Sequence, residues 1–428
     1  MPAALLVLVL LIGATPAVVA LDGPLTQGFV TLGAALGAAA VAWGMRPGEG
    51  SYLITLLRPM AAVAAVPALW MAVQTLPLGT SLAHPIWQSA AAALGRPVAG
   101  SISIDPGLTL VALTRYLVAA AIVLLATAVA VDRQRAERIL FVLMAAMGIT
   151  AMALLIHEIA GLDWLTGAAH VPAIACAALG IIIAAAALVR TFERYETRRA
   201  HPDGSLGAFA PTLIACFAAF AACATAVAWM GGHEAIFAAV CGLATLVTVI
   251  SIRRLGLGPW GSAAIGVAAV VVALAVVASR PGLTGKELTL AFAEQGAARV
   301  AAAQAMLADA QWSGSGAGTF TALLPIYREL DDTLPITSAP TSAAAIAIEL
   351  GRPMLWVIVL AALGTIVWLL RGALARGRDS FYPASGAAAL VTLLLLAFIN
   401  SGVLTSGAMI IAASVLGLAA AQSKSRTL

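Results

Sequence analysis

Residues 170–189 read HVPAIACAALGIIIAAAALV, and this stretch decides the fold. Across it there is no Asp, Glu, Lys or Arg. Wound as an α-helix it is about 30 Å long, which is the thickness of a bilayer's hydrocarbon core. Its apolar residues run continuously rather than alternating, so it does not read as a strand of a membrane barrel. In lipid the remaining way to satisfy every backbone N–H and C=O is a helix.

Runs of the same kind recur on both sides. They lie at about 3–21, 27–44, 54–76, 108–131, 139–160, 170–189, 210–230, 235–252, 260–278, 345–370, 384–400 and 404–421. The chain is 62% hydrophobic and 10% charged, with a mean hydropathy of +1.02, too little charge to cover a soluble surface of this length. The sequence therefore predicts an all-α, polytopic transmembrane bundle of about 12 spans. Residues 1–278 would hold spans one to nine, 279–344 a large outer loop with an amphipathic helix, and 345–428 the last three spans and a short tail.

The charges orient this bundle. With the N-terminus inside, sixteen Lys and Arg fall on inner loops and the tail, among them Arg133, Arg135, Arg138, Arg190, Arg194 and Arg254. The longer outer segments hold only seven: Arg96, Arg115, Arg280, Lys286, Arg299, Arg328 and Arg352. That asymmetry is the positive-inside pattern, and it places both termini in the cytoplasm. The basic residues are scattered over short loops, so the net charge of +4 is no nucleic-acid footprint. Residues 1–21 end in a signal-peptide-like Ala17-Val18-Val19-Ala20, but no Lys or Arg precedes Arg46, so an uncleaved first helix is expected. Cys176, Cys216, Cys223 and Cys241 all fall in apolar runs, as small packing residues do.

Two outer segments, 79–105 and 279–344, are long enough to carry function. In the second, Thr284 and Glu287 have capping-box spacing, and an amphipathic pattern follows to Asp309. It closes on Trp312-Ser313-Gly314-Ser315-Gly316-Ala317-Gly318-Thr319-Phe320. This glycine run lacks the Lys-Ser or Lys-Thr of a nucleotide loop. Its glycines permit a tight turn or a close approach, and such a turn can also cradle a phosphate. Arg328 could pair with an anionic head group, while Asp331-Asp332 lacks a third ligand nearby, so no metal is expected. Glu349 and Arg352 are three apart at the start of the tenth span, where an ionisable residue is either functional or paired with its neighbour. His157-Glu158 and His233-Glu234 sit at outer helix ends. Arg115 lies a turn or so inside the fourth span, able to snorkel or to bind a phosphate.

In their order, these features resemble the O-antigen ligase and polysaccharide polymerase family of bacterial inner-membrane proteins. The resemblance rests on Arg299, on Trp312 with Gly314, Gly316, Gly318, Thr319 and Phe320, on Pro325, Tyr327 and Arg328, and on Glu349 with Gly351. Ser101–Thr109 is similar to the family's first outer loop. The family's His-Asn pair reads Pro340-Thr341 here. Its Asn-Arg-Asn motif reads Ala169-His170-Val171, and its Ser-Arg turn reads Gly231-Gly232-His233.

The resemblance implies a metal-independent, cofactor-free transfer of a glycan from an undecaprenyl-diphosphate carrier. The acceptor would be a lipid A core or a growing polysaccharide, handled among membrane lipids at the outer face of the cell inner membrane. Arg115, Arg299, Arg328, Gly316 and Gly318 would bind the diphosphate, and Glu349 would do acid-base or orienting work. The missing histidine leaves open a catalytically degenerate member that binds a carrier or scaffolds an assembly. A transporter is the further alternative.

Overall fold

A computed structural model describes residues 1–45, 47–78, 83–161, 169–199, 210–254, 287–293, 296–327, 338–376 and 379–424. Among them the chain is all-α, apart from one isolated bridge between Leu78 and Gly100. Ten helices among the described residues are long and apolar enough to cross a membrane, which makes this a multi-pass membrane protein. In chain order, α1 (Pro2–Gly13) and α2 (Thr15–Ala20) run on as one crossing. There follow α3 (Pro24–Gly44), α4 (Pro47–Thr75), the short α5 (Ile86–Leu94), α6 (Pro106–Ala130) and α7 (Arg133–Ala160). Then come α8 (His170–Arg199), α9 (Ala210–Met230) and α10 (Gly232–Arg254). The last group is α11 (Ala297–Asp309), α12 (Phe320–Tyr327), α13 (Ser342–Glu349), α14 (Arg352–Ala375), α15 (Phe381–Ile399) and α16 (Ser406–Ala421). The sixteen residues of α16 are apolar but short for a crossing. The ninth expected span, 260–278, lies outside the described residues.

Helix starts follow local chemistry. Asp105 accepts the N–H groups of Gly107 and Leu108 at 2.9 and 3.1 Å, and Asp132 does the same for Gln134 and Arg135. The opening stretch of α8 is at the centre of the bundle, with Ala173 to Ala184 all buried. Such a position suits small residues, because they let backbones approach. A Cβ on Gly180 would strike Cys223 and Met147, and one on Gly242 would strike Thr392 and Ile182.

Two expectations need correction. The tenth span does not run unbroken from 345 to 370. Gly351, at φ +92°, separates α13 from α14. The amphipathic helix of the outer segment does not begin near Thr284 and Glu287. Residues 288–292 are turns, and the helix starts at Ala297. Thr284 itself is outside the described residues. The helix serves a local core, in which Met306 and Leu307 of α11 pack with Phe320, Leu324, Ala344 and Ile348. Burial against α12 and α13 thus decides its extent, over the propensity of the preceding residues.

The arginines assigned to inner loops gather at one end of the bundle. Arg194 donates to Glu137 at 2.6 Å, with Arg190 3.4 Å from the same oxygen. Arg133 reaches Asp379 at 2.8 Å, and Arg190 lies 3.9 Å from it. Glu137 and Asp379 are buried, so each needs its guanidinium partners. Arg254–Glu196, at 3.9 Å, is well exposed and contributes little. Glu137→Ala should cost about 3–5 kcal/mol and lower the Tm in detergent, because it leaves buried Arg190 short of a partner. Glu196→Ala should change stability by at most about 1 kcal/mol. Differential scanning fluorimetry of both variants checks the contrast.

Candidate functional site

At the opposite end of the bundle the glycine segment folds against two other stretches of chain. Gly314, Gly316 and Gly318 have φ of +75°, +109° and +78°, a region open to glycine at little cost. Space makes the same demand. A Cβ on Gly314 would enter the Glu349 carbonyl, one on Gly316 the Ser103 hydroxyl, and one on Gly351 the Trp312 carbonyl. The run is therefore a three-way junction between the first outer segment, its own loop and the α13–α14 break.

Main-chain hydrogen bonds hold it. Ser315 donates its N–H to Ile348 O at 3.0 Å and Gly316 to Glu349 O at 2.9 Å, while Ile104 donates to Ser315 O at 2.9 Å. Thr109 Oγ1 donates to Ala317 O at 3.1 Å and sits 2.8 Å from Ser103 Oγ. Gln74, near the end of α4, is fully buried beneath. Its amide nitrogen donates to Ser313 O at 3.0 Å and Glu349 O at 2.9 Å, and its amide oxygen accepts from Ala317 N at 3.3 Å. Gln74 carries little signal in the sequence. Its one visible signal is that it is the first hydrogen-bonding amide after a long apolar run from Met60. Trp70 donates to Leu350 O at 3.0 Å and stacks obliquely, centroids 6.2 Å apart, on the exposed Trp312.

Glu349 is the ionisable member of the junction. Its carboxylate accepts the N–H of Phe320 at 3.1 Å, at the start of α12, and a second main-chain bond from Gly318. Burial pushes the carboxyl up to about 7, against the opposing pull of those N–H groups and of the Arg115 guanidinium. Glu349 does not pair with Arg352. Gly351 breaks the helix between them, and Arg352 bonds instead to Glu287 and to Leu307 O.

The structure thus brings Gly316, Gly318, Glu349 and the charge of Arg115 together. Arg115 projects from two and a half turns inside α6, deeper than expected, and donates to Gln27 Oε1 at 2.5 Å. Arg299 sits half-buried in the first turn of α11. Arg328, Asp331 and Asp332 lie outside the described residues. Thr341, where the resemblance expects the second residue of a His-Asn pair, caps α13. Its hydroxyl accepts Ala344 N at 3.0 Å and donates to Thr289 O at 2.7 Å. His170 begins α8, near the side chains of His157 and Glu158. His233 lies in the first turn of α10. Among the described residues no three His, Cys, Asp or Glu group as metal ligands would.

Chemically, a carboxyl that titrates near neutrality can take or give a proton at physiological pH. A neighbouring guanidinium can hold a phosphate. Gly316→Ala should destabilise the junction by about 1–3 kcal/mol, through left-handed backbone and the clash with Ser103, visible as a lower Tm in detergent. Glu349 ionises near 4.5 when unfolded and about 7 when folded, so between those values the folded state holds more protons. Stability should fall as pH rises from about 4.5 to about 7. Glu349→Gln should flatten that slope in thermal melts taken across the window.

The chain matches no protein-family model, no curated protein and no solved structure.

Proposed function

We propose that this protein acts on undecaprenyl-diphosphate-linked glycans in surface polysaccharide assembly, as an O-antigen ligase or polymerase-like protein of the bacterial inner membrane. The observation that carries this reading is the meeting of Glu349 and the Arg115 charge at the glycine junction. A lipid-linked diphosphate presents its anion at the membrane surface, at the level of helix ends. Arg115 would hold that anion, with Arg299 and Arg328 as further candidates from the same outer segment. Glu349 would receive the proton of the attacking acceptor hydroxyl, or orient that hydroxyl. The acceptor would be a lipid A core or a growing polysaccharide. In this orientation the arginine-rich end and both termini face the cytoplasm, in line with the positive-inside pattern.

One observation favours a second reading, a carrier-binding or scaffolding protein without turnover. Pro340 offers no ionisable group, and Thr341 is already engaged as a helix cap. His170 or His233 would be the substitute imidazole.

The test is the surface polysaccharide of a deletion strain, resolved by gel for chain length and lipid attachment. Unattached O-antigen is expected for a ligase and single-repeat material for a polymerase. Complementation with Glu349→Gln should lower transfer by about 10²–10⁴-fold if the carboxyl handles the proton. Full complementation by both Glu349→Gln and Arg115→Ala would sink the site assignment. Purified protein that binds the lipid-linked glycan without turnover would establish the second reading.

A further inference from the structure

The arginine-rich end holds a groove that the glycan reading does not use. It opens between α1, α7 and the end of α8, with a volume of about 790 Å³. α1 and α7 both start at this end, so depth into the membrane increases in the same direction along each. At the mouth stand Gln134, Arg138 and Arg194. One to two turns deeper the lining becomes wholly apolar: Leu6 and Val9 on one wall, Phe141 and Val142 on the other. From Gln134 to Val142 the groove descends about 12 Å, at 1.5 Å per residue.

The charges at the mouth are also sorted. Arg138 is exposed and has no ion pair among the described residues. Glu137 would repel an anion, but its carboxylate is buried and held by Arg190 and Arg194. Arg194 spends one of its five donors there and keeps about half its side chain exposed, at 48%. The groove therefore offers guanidinium donors at the depth of head groups and an apolar slot below. Leu6, 62% exposed, belongs to that slot, so an occupant covers apolar surface there.

We propose that this groove binds an anionic phospholipid of the leaflet at the arginine-rich end. Arg138 and Arg194 hold the phosphate and one acyl chain lies between α1 and α7. Charge complementarity and the polar-to-apolar gradient select this occupant over a soluble anion, which has no use for the slot. They also select it over a zwitterionic lipid, which gains less from an unpaired arginine. The site is independent of Glu349 and lies at the opposite end of the bundle.

The experiment is native mass spectrometry of the full chain in detergent, titrated with phosphatidylglycerol or with phosphatidylcholine of the same acyl chains. The wild type should prefer phosphatidylglycerol by at least about five-fold, and Arg138→Gln should remove about a five-fold share of that preference. Val9→Trp, which fills the slot without touching charge, should weaken both lipids. Arg135→Gln, one turn nearer the helix start and lining a neighbouring pocket, should leave binding unchanged. Equal binding of the two lipids by the wild type overturns the proposal. So does phosphatidylglycerol binding that survives both Arg138→Gln and Val9→Trp in folded protein. Loss with Arg138→Gln but not with Val9→Trp would mean a phosphate site without an acyl slot, and would overturn it as well.

Discussion

The amide of Gln74 ties the end of α4 to the glycine junction. It is buried at the C-terminal end of α4, where neither water nor lipid can satisfy it. Its nitrogen bonds carbonyls on either side of the glycine junction, Ser313 and Glu349, and its oxygen takes the N–H of Ala317. Three irregular backbone stretches meet there, each with polar groups that a helix would have satisfied internally. Non-helical backbone at such a depth is tolerated where protein covers and pairs it. The glycines follow from this constraint, since the carbonyls of Trp312 and Glu349 come too close for a Cβ at 351 or 314.

The same junction sets the chemistry of Glu349. A carboxyl at the end of a short helix would be solvated and ordinary. Here the fold turns the chain at Gly351, packs the glycine run over it, and leaves the carboxyl facing two main-chain N–H groups and the charge of Arg115. Desolvation and hydrogen bonding then oppose each other, with desolvation the stronger. The group with the raised pKa and the cap at the start of α12 are therefore one residue, so a change at Glu349 is felt in stability.

The two ends of the bundle solve the problem of charge differently. At one end Glu137 and Asp379 are paired with three arginines in a partly buried network, which fixes α7, α8 and the start of α15 to one another. At the other, the close contacts are mostly neutral main-chain bonds, with the Glu349 carboxyl buried among them. Ion pairs suit helix ends that must keep register, because a buried carboxylate without a partner is costly.

Apolar runs such as 170–189 were enough to read a membrane helix bundle, because length and hydrophobicity alone decide whether a helix can cross. The sorting of arginines between loops was legible for the same reason: it is a property of composition along the chain. Gly316, Gly318 and Glu349 stood out as a motif. What the sequence could not reveal was Gln74 beneath them, the break at Gly351, or Arg352 turning away to Glu287, since each depends on residues far apart along the chain. Crossing the membrane is settled by each segment against its solvent. The site is settled by segments against one another, and only tertiary packing decides which carbonyl lies beside which glycine.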